Sequence, residues 1–293
     1  MHSSARLCIG GIGLELRWQE DVFSIMPVHA RFLDETCSLD VSMTFHCTDS
    51  LEEPRNVTRE LLFDSGAVWR LYQQEDGQWL EFHTPLFGTR PYMWGRFAAD
   101  WARGEVYINP LLYGSSRLML PKYPLDELII INALAQGRGV LLHGCLVDDD
   151  GQGLLFVGQS GDGKSTMAGL WDQSGTAKIY SDDRVIVREH EGQLWAYGTP
   201  WHGTGRYASP SRVPLRDIFV LRQAAQNDAR DLLPLHAVSL LFARSFPTFW
   251  NREGLDFTLS FLQRLCAAIP CYELGFRPTE EIVAFVRGLN GSG

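Results

Sequence analysis

Residues 158–165 read GQSGDGKS and match the phosphate-binding pattern G-x-x-x-x-G-K-[ST]. Glycines in such a loop let successive backbone N–H groups turn inward and form a nest for an anion. In this pattern Lys164 reaches the β- and γ-phosphates of a nucleotide, and the Ser165 hydroxyl is a ligand for Mg²⁺. An apolar run, LLFV, precedes the loop, and a run that can form a helix follows it, which is the order that a nucleotide site requires. The predicted nucleotide-binding residues are Gly158, Ser160, Gly161, Asp162, Gly163, Lys164, Ser165 and Thr166.

Two adjacent carboxylates, Asp182 and Asp183, follow the phosphate loop. We expect them at the end of a strand that lies beside the strand entering the loop. Carboxylates in that place can hold Mg²⁺ or its waters, or can accept the proton of an attacking hydroxyl. Taken alone, the pair is interpreted equally well as a solvated polar turn.

A histidine, His143, lies in the apolar segment 139–147, which we predict to be a strand. Residues 148–153 have a turn composition, and so short a connection enforces antiparallel pairing with the strand at 154–158. If the turn spans these residues, paired positions sum to about 301, and His143 lies opposite Gly158. A slip of one residue would turn the imidazole to the other face, and a histidine of the core is the alternative interpretation.

The rest of the sequence predicts two domains, 1–120 and 121–293. Residues 1–120 have short alternating apolar and polar runs between turns, which indicates a β-rich domain. Five of the nine tryptophans lie in it, at 18, 69, 79, 94 and 101, in a packed core or on a binding face. Residues 121–293 predict an α/β domain, with further strands at 176–180, 184–188, 217–221 and 272–276. Its helices are predicted at 125–136, 238–246, 255–268 and from Pro278 to a cap at Gly288.

The composition limits the classes of partner. The chain has 293 residues and a formal net charge of −9, which argues against a sequence-independent nucleic-acid binder. Its apolar runs are too short for a membrane span, and its first residues resemble a strand more than a signal peptide. Six cysteines without a C-x-x-C pattern predict free thiols in a reducing cytoplasm.

Three segments taken together, LLHGCLV, GLLFVGQSGDGKST and YSDDRVIV, resemble the HPr kinase/phosphorylase superfamily and its small bacterial relatives. In that family a strand bearing His-Gly leads by a hairpin into the phosphate-loop strand, and an Asp-Asp pair follows. The resemblance covers about residues 125–290. It implies an α/β P-loop kinase core of the HPr kinase and phosphoenolpyruvate carboxykinase type, with a mixed sheet. Residues 1–120 do not match the usual N-terminal domain of HPr kinases.

The resemblance implies transfer of a phosphoryl group from ATP, with Mg²⁺, to a hydroxyl group. It implies that Asp183 is the general base and that Ser165 and Asp182 bind Mg²⁺. An exchange of these roles between the two aspartates stays open. Lys164 would offset charge on the transferring group. His143 would lie near the γ-phosphate or orient an aspartate.

Two departures from true HPr kinases bear on the acceptor. Thr166 stands where they carry Glu, and their LEIRGLG signature, which contacts HPr and assists the reverse reaction, does not occur. We therefore expect a serine on another peptide or protein, as in small relatives that modify peptide precursors such as lasso peptides. The glycine-rich loop at 198–207 adds Arg206 as a candidate contact to phosphate or acceptor, beside Trp201 and His202. A surface arginine and loop packing are the alternative interpretations.

Other functions fit the same motifs. A kinase acting on a small molecule such as free serine would need a closed pocket, and a carboxykinase-like enzyme would need further metal ligands. A nucleotide-dependent switch would bind Mg-ATP without transferring phosphate. Paired carboxylates favour an enzyme, and the β-rich part is a candidate for recognising a leader peptide by strand addition. The motifs leave open the acceptor, the choice of ATP or GTP, the reverse reaction and a homo-oligomeric state.

Overall fold

The computed structural model describes residues 3–19, 21–48, 59–66, 68–74, 77–85, 88, 90–110 and 117–289. The chain divides into two compact units, Met1–Ala133 and Leu134–Gly293, called unit 1 and unit 2 below. The division falls inside a helix, after the boundary predicted between residues 120 and 121.

The described residues of unit 1 form one large sheet and one small one. Its strands are β1 (Ser3–Ile9), β2 (Ile12–Trp18), β3 (Phe23–Ile25), β4 (Leu39–Cys47), β5 (Glu60–Asp64), β6 (Trp69–Gln74), β7 (Gly77–Phe82), β8 (Met93–Ala98), β9 (Arg103–Ile108) and β10 (Leu118–Leu120). The large sheet has the order β1-β2-β4-β9-β8-β7-β6-β5, and β10 pairs with β3. The pairs β2–β4 and β4–β9 are parallel, and the others in the large sheet are antiparallel.

The large sheet of unit 1 has one apolar and one polar face, because successive side chains of a strand point to opposite sides. The apolar face is buried and includes Leu7, Leu14, Met43, Val106 and Leu80. The other face carries arginine, glutamate, hydroxyl and aromatic side chains. The residues between strands include a 3₁₀ helix at His29–Phe32.

Unit 1 contains a disulfide between Cys8 on β1 and Cys37, which lies just ahead of β4. The prediction that all six cysteines are free thiols is therefore wrong for this pair. Cys145, Cys266 and Cys271 are buried thiols. The pairing was not predictable, because the two cysteines are 29 residues apart and spacing alone does not show which positions meet in space.

Reducing the Cys8–Cys37 disulfide is expected to lower the free energy of unfolding of unit 1 by about 3–4 kcal/mol, since the bond closes a loop of about thirty residues in the unfolded chain. Thermal unfolding followed by tryptophan fluorescence, with and without a thiol reductant, measures the effect. The Cys37→Ala variant should match the reduced wild type and should not respond to reductant. An oxidised wild type that unfolds at the same temperature as Cys37→Ala would contradict the prediction.

Unit 2 combines eight strands with helices. The strands are β11 (Val140–Asp149), β12 (Gln152–Val157), β13 (Ala177–Ser181), β14 (Arg184–His190), β15 (Gln193–Tyr197), β16 (Arg212–Gln223), β17 (Asp228–Asp231) and β18 (Cys271–Phe276). The α-helices among the described residues are α1 (Leu125–Ala135), which spans the division between the units, α2 (Lys164–Gln173), α3 (Pro234–Phe242), α4 (Arg252–Ala268) and α5 (Glu281–Leu289).

The strands of unit 2 form a mixed sheet system with two runs of pairings, and both runs include β11 and β16. One run of pairings is β13-β11-β12-β16-β18-β17, with β12, β16 and β18 parallel. A second run joins the first half of β11 to β14, then to β15, then to the start of β16. The architecture is therefore α/β with mixed pairing, as predicted.

Helices cover unit 2 in two pairs. Helices α2 and α5 pack against one buried cluster, which includes Phe156, Trp171 and Val286. Helices α3 and α4 pack against another, which includes Leu155, Leu241 and Leu265. Adjacent residues of β12 thus point into different clusters, so this strand is buried on both faces. No helix among the described residues is long and apolar enough to cross a membrane.

The predicted register of the β11–β12 hairpin is confirmed. Gly144 pairs with Val157 and Cys145 with Phe156, so paired positions sum to 301, and the N–H of Gly158 donates to the carbonyl of His143 at 3.3 Å. The predicted six-residue turn is wrong, because pairing continues to Asp149 and Gln152. Only Asp150 and Gly151 remain, and their φ values of 54° and 77° are those of a tight type I′ turn.

Four other predictions about unit 2 need correction. Strand β13 lies beside β11 and not beside the phosphate-loop strand, because β16 occupies the free edge of β12. Helix α3 begins at Pro234 and ends at Phe242, earlier than predicted, since proline favours the first helical turn. Helix α5 begins at Glu281 and contains Gly288, which therefore does not cap it. Strands β15 and β17 were not predicted.

Candidate functional site

The loop 158–163 connects β12 to the first residue of α2 in the predicted order of strand, loop and helix. Gly161 and Gly163 have φ values of 92° and 100°, which other residues rarely adopt. A Cβ atom on Gly163 would also come within 2.6 Å of the Phe276 ring. Glycine is therefore required where the loop turns into the helix.

Lys164, the first residue of α2, folds back over the loop. Its Nζ donates to the carbonyls of Gly158 at 3.0 Å and Gln159 at 2.8 Å, and the residue is 6% exposed. Burial lowers the pKa of Lys164, although the charges of Asp183 and Asp162 act in the opposite direction. The ammonium group is thus held at the loop, within electrostatic range of two carboxylates.

The loop is braced by Asp162. Its carboxylate accepts from the N–H of Gln159 at 2.5 Å, and its own N–H donates to the Gln159 carbonyl at 3.2 Å. Gln223 on β16 donates to the carbonyl of Gly161 at 2.9 Å. Asp162 therefore shapes the loop from within. Ser160 and Thr166, also predicted to bind nucleotide, have exposed positions at the loop and in the first turn of α2.

Ser165 and Asp182 meet, although they lie on different elements. The Ser165 hydroxyl donates to Oδ2 of Asp182 at 3.3 Å. The Asp182 carboxylate is 1% exposed and also accepts from the N–H groups of Gly203 at 2.9 Å and Gly205 at 2.8 Å. The glycine-rich loop after β15 is thereby attached to the same carboxylate.

The pair of Ser165 and Asp182 fits Mg²⁺. A hydroxyl and a carboxylate oxygen are hard ligands, and protein-bound Mg²⁺ commonly takes one or two such groups, with water and phosphate oxygens completing its shell. Among the residues that the structure describes, no group of three or more His, Cys, Asp or Glu side chains is arranged to hold a metal ion. Ser165 and Asp182 would therefore supply two ligands, and water and phosphate oxygens would have to supply the others.

Gly203→Ala is expected to raise the apparent KM for Mg²⁺ about tenfold, as changes beside metal ligands commonly do. The added Cβ would lie 2.9 Å from Oδ2 of Asp182 and 3.3 Å from the Ser165 hydroxyl, so both oxygens must shift. Titration of activity with Mg²⁺ at saturating nucleotide measures the effect. Gly169→Ala in α2 is the matched control, because a Cβ there meets nothing within 4 Å. An unchanged KM in Gly203→Ala would argue against metal binding by this pair.

Asp183 lies in the tight connection between β13 and β14 and is held by two basic side chains. Nε2 of His143 lies 2.9 Å from its Oδ1, and Nη1 of Arg184 lies 2.8 Å from its Oδ2. Each carboxylate oxygen thus has a basic partner. The predicted residues His143 and Asp183 are brought into direct contact, and the imidazole orients this aspartate and not Asp182.

The environment of Asp183 favours its charged form. Burial opposes ionisation, but the hydrogen bond from His143 and the charges of Arg184 and Lys164 outweigh it, so the pKa of Asp183 lies below its ordinary value. The side chain remains 26% exposed. The result is an ionised carboxylate that solvent reaches, within the electrostatic range of the lysine of the phosphate loop.

One dipeptide, His143-Gly144, joins these features through its backbone. The carbonyl of His143 accepts from Gly158 at the start of the phosphate loop, and the N–H of Gly144 donates to the carbonyl of Asp183 at 3.0 Å. The N–H of His143 donates to the carbonyl of Arg244 at 2.7 Å. Strand β11 thus lies between the loop and the aspartate and bonds to both.

Sequence reasoning missed three residues of this site. Arg184 follows the Asp-Asp pair directly, so its position in the motif was an available signal. Arg244 and Phe246 come from the segment after α3, which carries no motif. Nη2 of Arg244 lies 4.0 Å from Asp162, and the Phe246 ring packs under the Arg184 guanidinium at 4.3 Å.

The other candidates from the glycine-rich loop have different positions. Trp201 is buried and packs as a loop residue. His202 and Arg206 are exposed, and Arg206 has the positive φ of 60°. The structure places the loop on Asp182 through its backbone and does not bring the Arg206 side chain to that carboxylate.

Comparison with known proteins adds the family. Residues 124–275, a little over half of the 293 residues, match the family model described as SynChlorMet cassette protein ScmC. The HPr kinase/phosphorylase of Mycoplasmopsis pulmonis is 32% identical over 97 residues, which are 33% of this chain and 29% of that relative's length. The structure of the Hpr(Ser) kinase/phosphatase from Coxiella burnetii has a TM-score of 0.32 and 13% identity, covering 52% of this chain and 99% of that one. The matched segment contains the whole of the phosphate loop, both aspartates and His143, and by this match the chain belongs to the ScmC family of SynChlorMet cassette proteins.

Proposed function

We propose that the protein is a kinase that uses Mg-ATP to phosphorylate a serine hydroxyl on a peptide or protein. The observation that carries the proposal is the Asp183 carboxylate, held by His143 and Arg184 within the field of Lys164. A nucleotide-binding loop alone serves many functions, whereas an ionised, oriented and accessible carboxylate beside it is suited to accept a proton from a hydroxyl.

The proposed reaction needs few protein groups. The acceptor serine donates its proton to Asp183 while its oxygen forms a bond to the γ-phosphorus, and the bond from the β–γ bridging oxygen to that phosphorus breaks and releases ADP. Lys164 and the loop N–H groups hold the phosphates, and catalysis of this type is mostly positioning and charge stabilisation. Mg²⁺ held by Ser165 and Asp182 would neutralise charge on the phosphate oxygens. His143 and Arg184 keep Asp183 oriented and ionised.

The openness of the site supports an acceptor carried on a larger chain. The side chains of His143 and Asp183 are 22% and 26% exposed. A side chain that projects from a peptide reaches such a carboxylate directly, whereas a free amino acid is usually enclosed by its site. Membership in a family named for a cassette is consistent with a peptide acceptor.

The proposal places the protein in the cytoplasm, where ATP is available and where thiol reductants would act on the Cys8–Cys37 disulfide.

The test is an incubation of the full chain with γ-labelled ATP and Mg²⁺ and four acceptor conditions. These are a serine-containing peptide encoded beside the protein's own gene, the same peptide with serine replaced by alanine, free serine, and no acceptor. Label on the serine peptide alone would support the proposal. Label on free serine would assign a small-molecule kinase instead. Tight nucleotide binding with no labelled acceptor in any condition would favour a nucleotide-dependent switch.

A further inference from the structure

The polar face of the large sheet in unit 1 carries a cavity of about 400 Å³ that phosphoryl transfer does not use. Its polar lining consists of Arg17, Ser42, Thr44, Arg96, Arg103 and Glu105, and we call it the arginine pocket. The pocket crosses four neighbouring strands, β2, β4, β9 and β8. Every lining residue lies within unit 1.

Strand register places the arginines around the hydroxyl groups of Ser42 and Thr44. Paired positions form one row across the strands β2, β4, β9 and β8. In that order, the row consists of Arg17, Thr44, Glu105 and Arg96. Arg17 and Arg96 are therefore three strand spacings apart, about 14 Å. Arg103 is two residues from Glu105 on the same strand and lies opposite Ser42. The three arginine side chains thus leave the backbone at three separate positions on one face of the sheet.

The side chains that line the pocket carry more positive than negative charge. Arg17, Arg96 and Arg103 stand with one lining carboxylate, Glu105, in a chain whose net charge is −9. Glu15 is shared by Arg6 at 3.7 Å and Arg17. The Arg17 side chain is nevertheless 52% exposed, and Arg96 and Arg103 are exposed too. A pocket lined by arginines on an acidic protein attracts an anionic partner.

An aromatic surface continues from the pocket on the same face. Tyr107 lies two residues beyond Glu105, and its hydroxyl donates to that carboxylate at 3.1 Å. Its ring stacks on Trp94 with centroids 4.0 Å apart, and on its other side it stacks on His46 at 4.8 Å. Trp94 and Tyr107 are only partly buried. Flat, rigid rings beside a charged pocket offer contact area at little cost in conformational entropy.

We propose that the arginine pocket binds an acidic segment of a peptide, which lies across the strands with carboxylates on Arg17, Arg96 and Arg103 and an apolar side chain on Trp94 and Tyr107. Arg17 and Arg96 leave the sheet about 14 Å apart, so each guanidinium group can take a carboxylate of its own. Several carboxylates on an extended chain match this spacing. Arginine is suited to this task, because its planar group pairs with carboxylates in a fixed geometry. The inference rests on unit 1 alone and holds whether or not unit 2 transfers phosphate.

The test measures fluorescence anisotropy of labelled twelve-residue peptides with the full chain at about 50 mM salt. One peptide carries three glutamates and a tryptophan, the second has the glutamates replaced by glutamine, and the third has them replaced by lysine. The glutamate peptide should bind at least about tenfold more tightly than the glutamine peptide, and the difference should shrink at about 300 mM salt. Equal binding of the glutamate and glutamine peptides would overturn the proposal.

Variants assign the binding to the pocket. Arg17→Ala with Arg103→Ala should weaken binding of the glutamate peptide about tenfold or more, whereas Arg31→Ala with Arg90→Ala, two exposed arginines outside the pocket lining, should change it less than about twofold. Arg17→Glu with Arg103→Glu should lose the glutamate peptide and gain the lysine peptide, a reversal that unfolding cannot produce. Unchanged binding in both pocket variants would overturn the proposal. Inorganic phosphate at millimolar concentration should not displace the peptide, and full displacement would assign a phosphate site instead.

Discussion

Lys164→Ala is expected to lower kcat for phosphoryl transfer by a factor of about 10³ or more. The ammonium group is held over the phosphate loop by the carbonyls of Gly158 and Gln159, where it can offer positive charge to the phosphates. Its burial also lowers the pKa of this lysine, so its solvation has already been given up and its charge acts at short range. Nucleotide affinity should fall with kcat, because the same charge binds the ground state. Rates with γ-labelled ATP and a nucleotide titration measure both.

Lys178→Ala is the matched control for Lys164→Ala. Lys178 is an exposed residue of β13 in the same unit, so its removal deletes the same charge without touching the loop. It should transfer phosphate at close to the wild-type rate. Circular dichroism and the unfolding temperature show whether Lys164→Ala keeps its fold. A folded Lys164→Ala protein with a near-normal rate would exclude the loop 158–164 as the nucleotide site.

Asp183→Asn is expected to lower kcat by a factor of about 10²–10⁴, the usual contribution of a general base, while affinity for Mg-ATP changes little. Asparagine keeps the shape of the side chain but cannot take the serine proton. The variant also removes the charge that faces His143 and Arg184, which should destabilise the fold by about 1–3 kcal/mol. Single-turnover rates and nucleotide titrations separate the two effects. Asp231→Asn, an exposed aspartate of β17, is the control.

The pH dependence gives the same assignment a second readout. Because the pKa of Asp183 lies below its ordinary value of 3.8, the base is ionised throughout neutral and mildly acidic conditions. A lowered native pKa stabilises the fold at all pH values above the unfolded pKa, and that stabilisation is lost only as the pH falls through the native pKa. We therefore expect no loss of kcat/KM from Asp183 on the acid side until the pH is below 3.8. His143→Ala removes a hydrogen bond that lowers this pKa, so it should move the acid limb upward. A full rate in Asp183→Asn would mean that another group is the base.

The local parts of the fold were predictable from sequence, and the non-local parts were not. The register of β11 and β12 followed from one turn and from the two-residue period of a strand, so His143 could be placed opposite the start of the loop. The position of β13 could not be placed in this way, because it depends on β16 pairing with the other edge of β12. The segments that form β12 and β16 are about sixty residues apart, and neither sequence shows that the two strands pair. The Cys8–Cys37 disulfide was not predicted for the same reason.

The site shows the same division. Residues in contiguous motifs, such as Lys164 and Asp183, could be proposed from the sequence alone, because the motif requires its residue types at fixed spacing. Ser165 and Asp182, to which the resemblance assigned Mg²⁺, are in contact. Arg244 reaches the loop from the end of α3, and its position depends on how that helix packs. The attachment of Gly203 and Gly205 to Asp182 depends on the path of the loop, which the sequence showed only to be rich in glycine.

The His143-Gly144 dipeptide has a consequence for how such an enzyme changes its substrate. Its backbone bonds to Gly158 on one side and to Asp183 on the other, so the phosphate loop and the proposed general base are attached to the same two residues of one strand. A substitution that shifts these two residues is expected to disturb nucleotide binding and proton transfer together. Under the proposed function, a change of acceptor that leaves the chemistry intact would have to arise elsewhere in the chain.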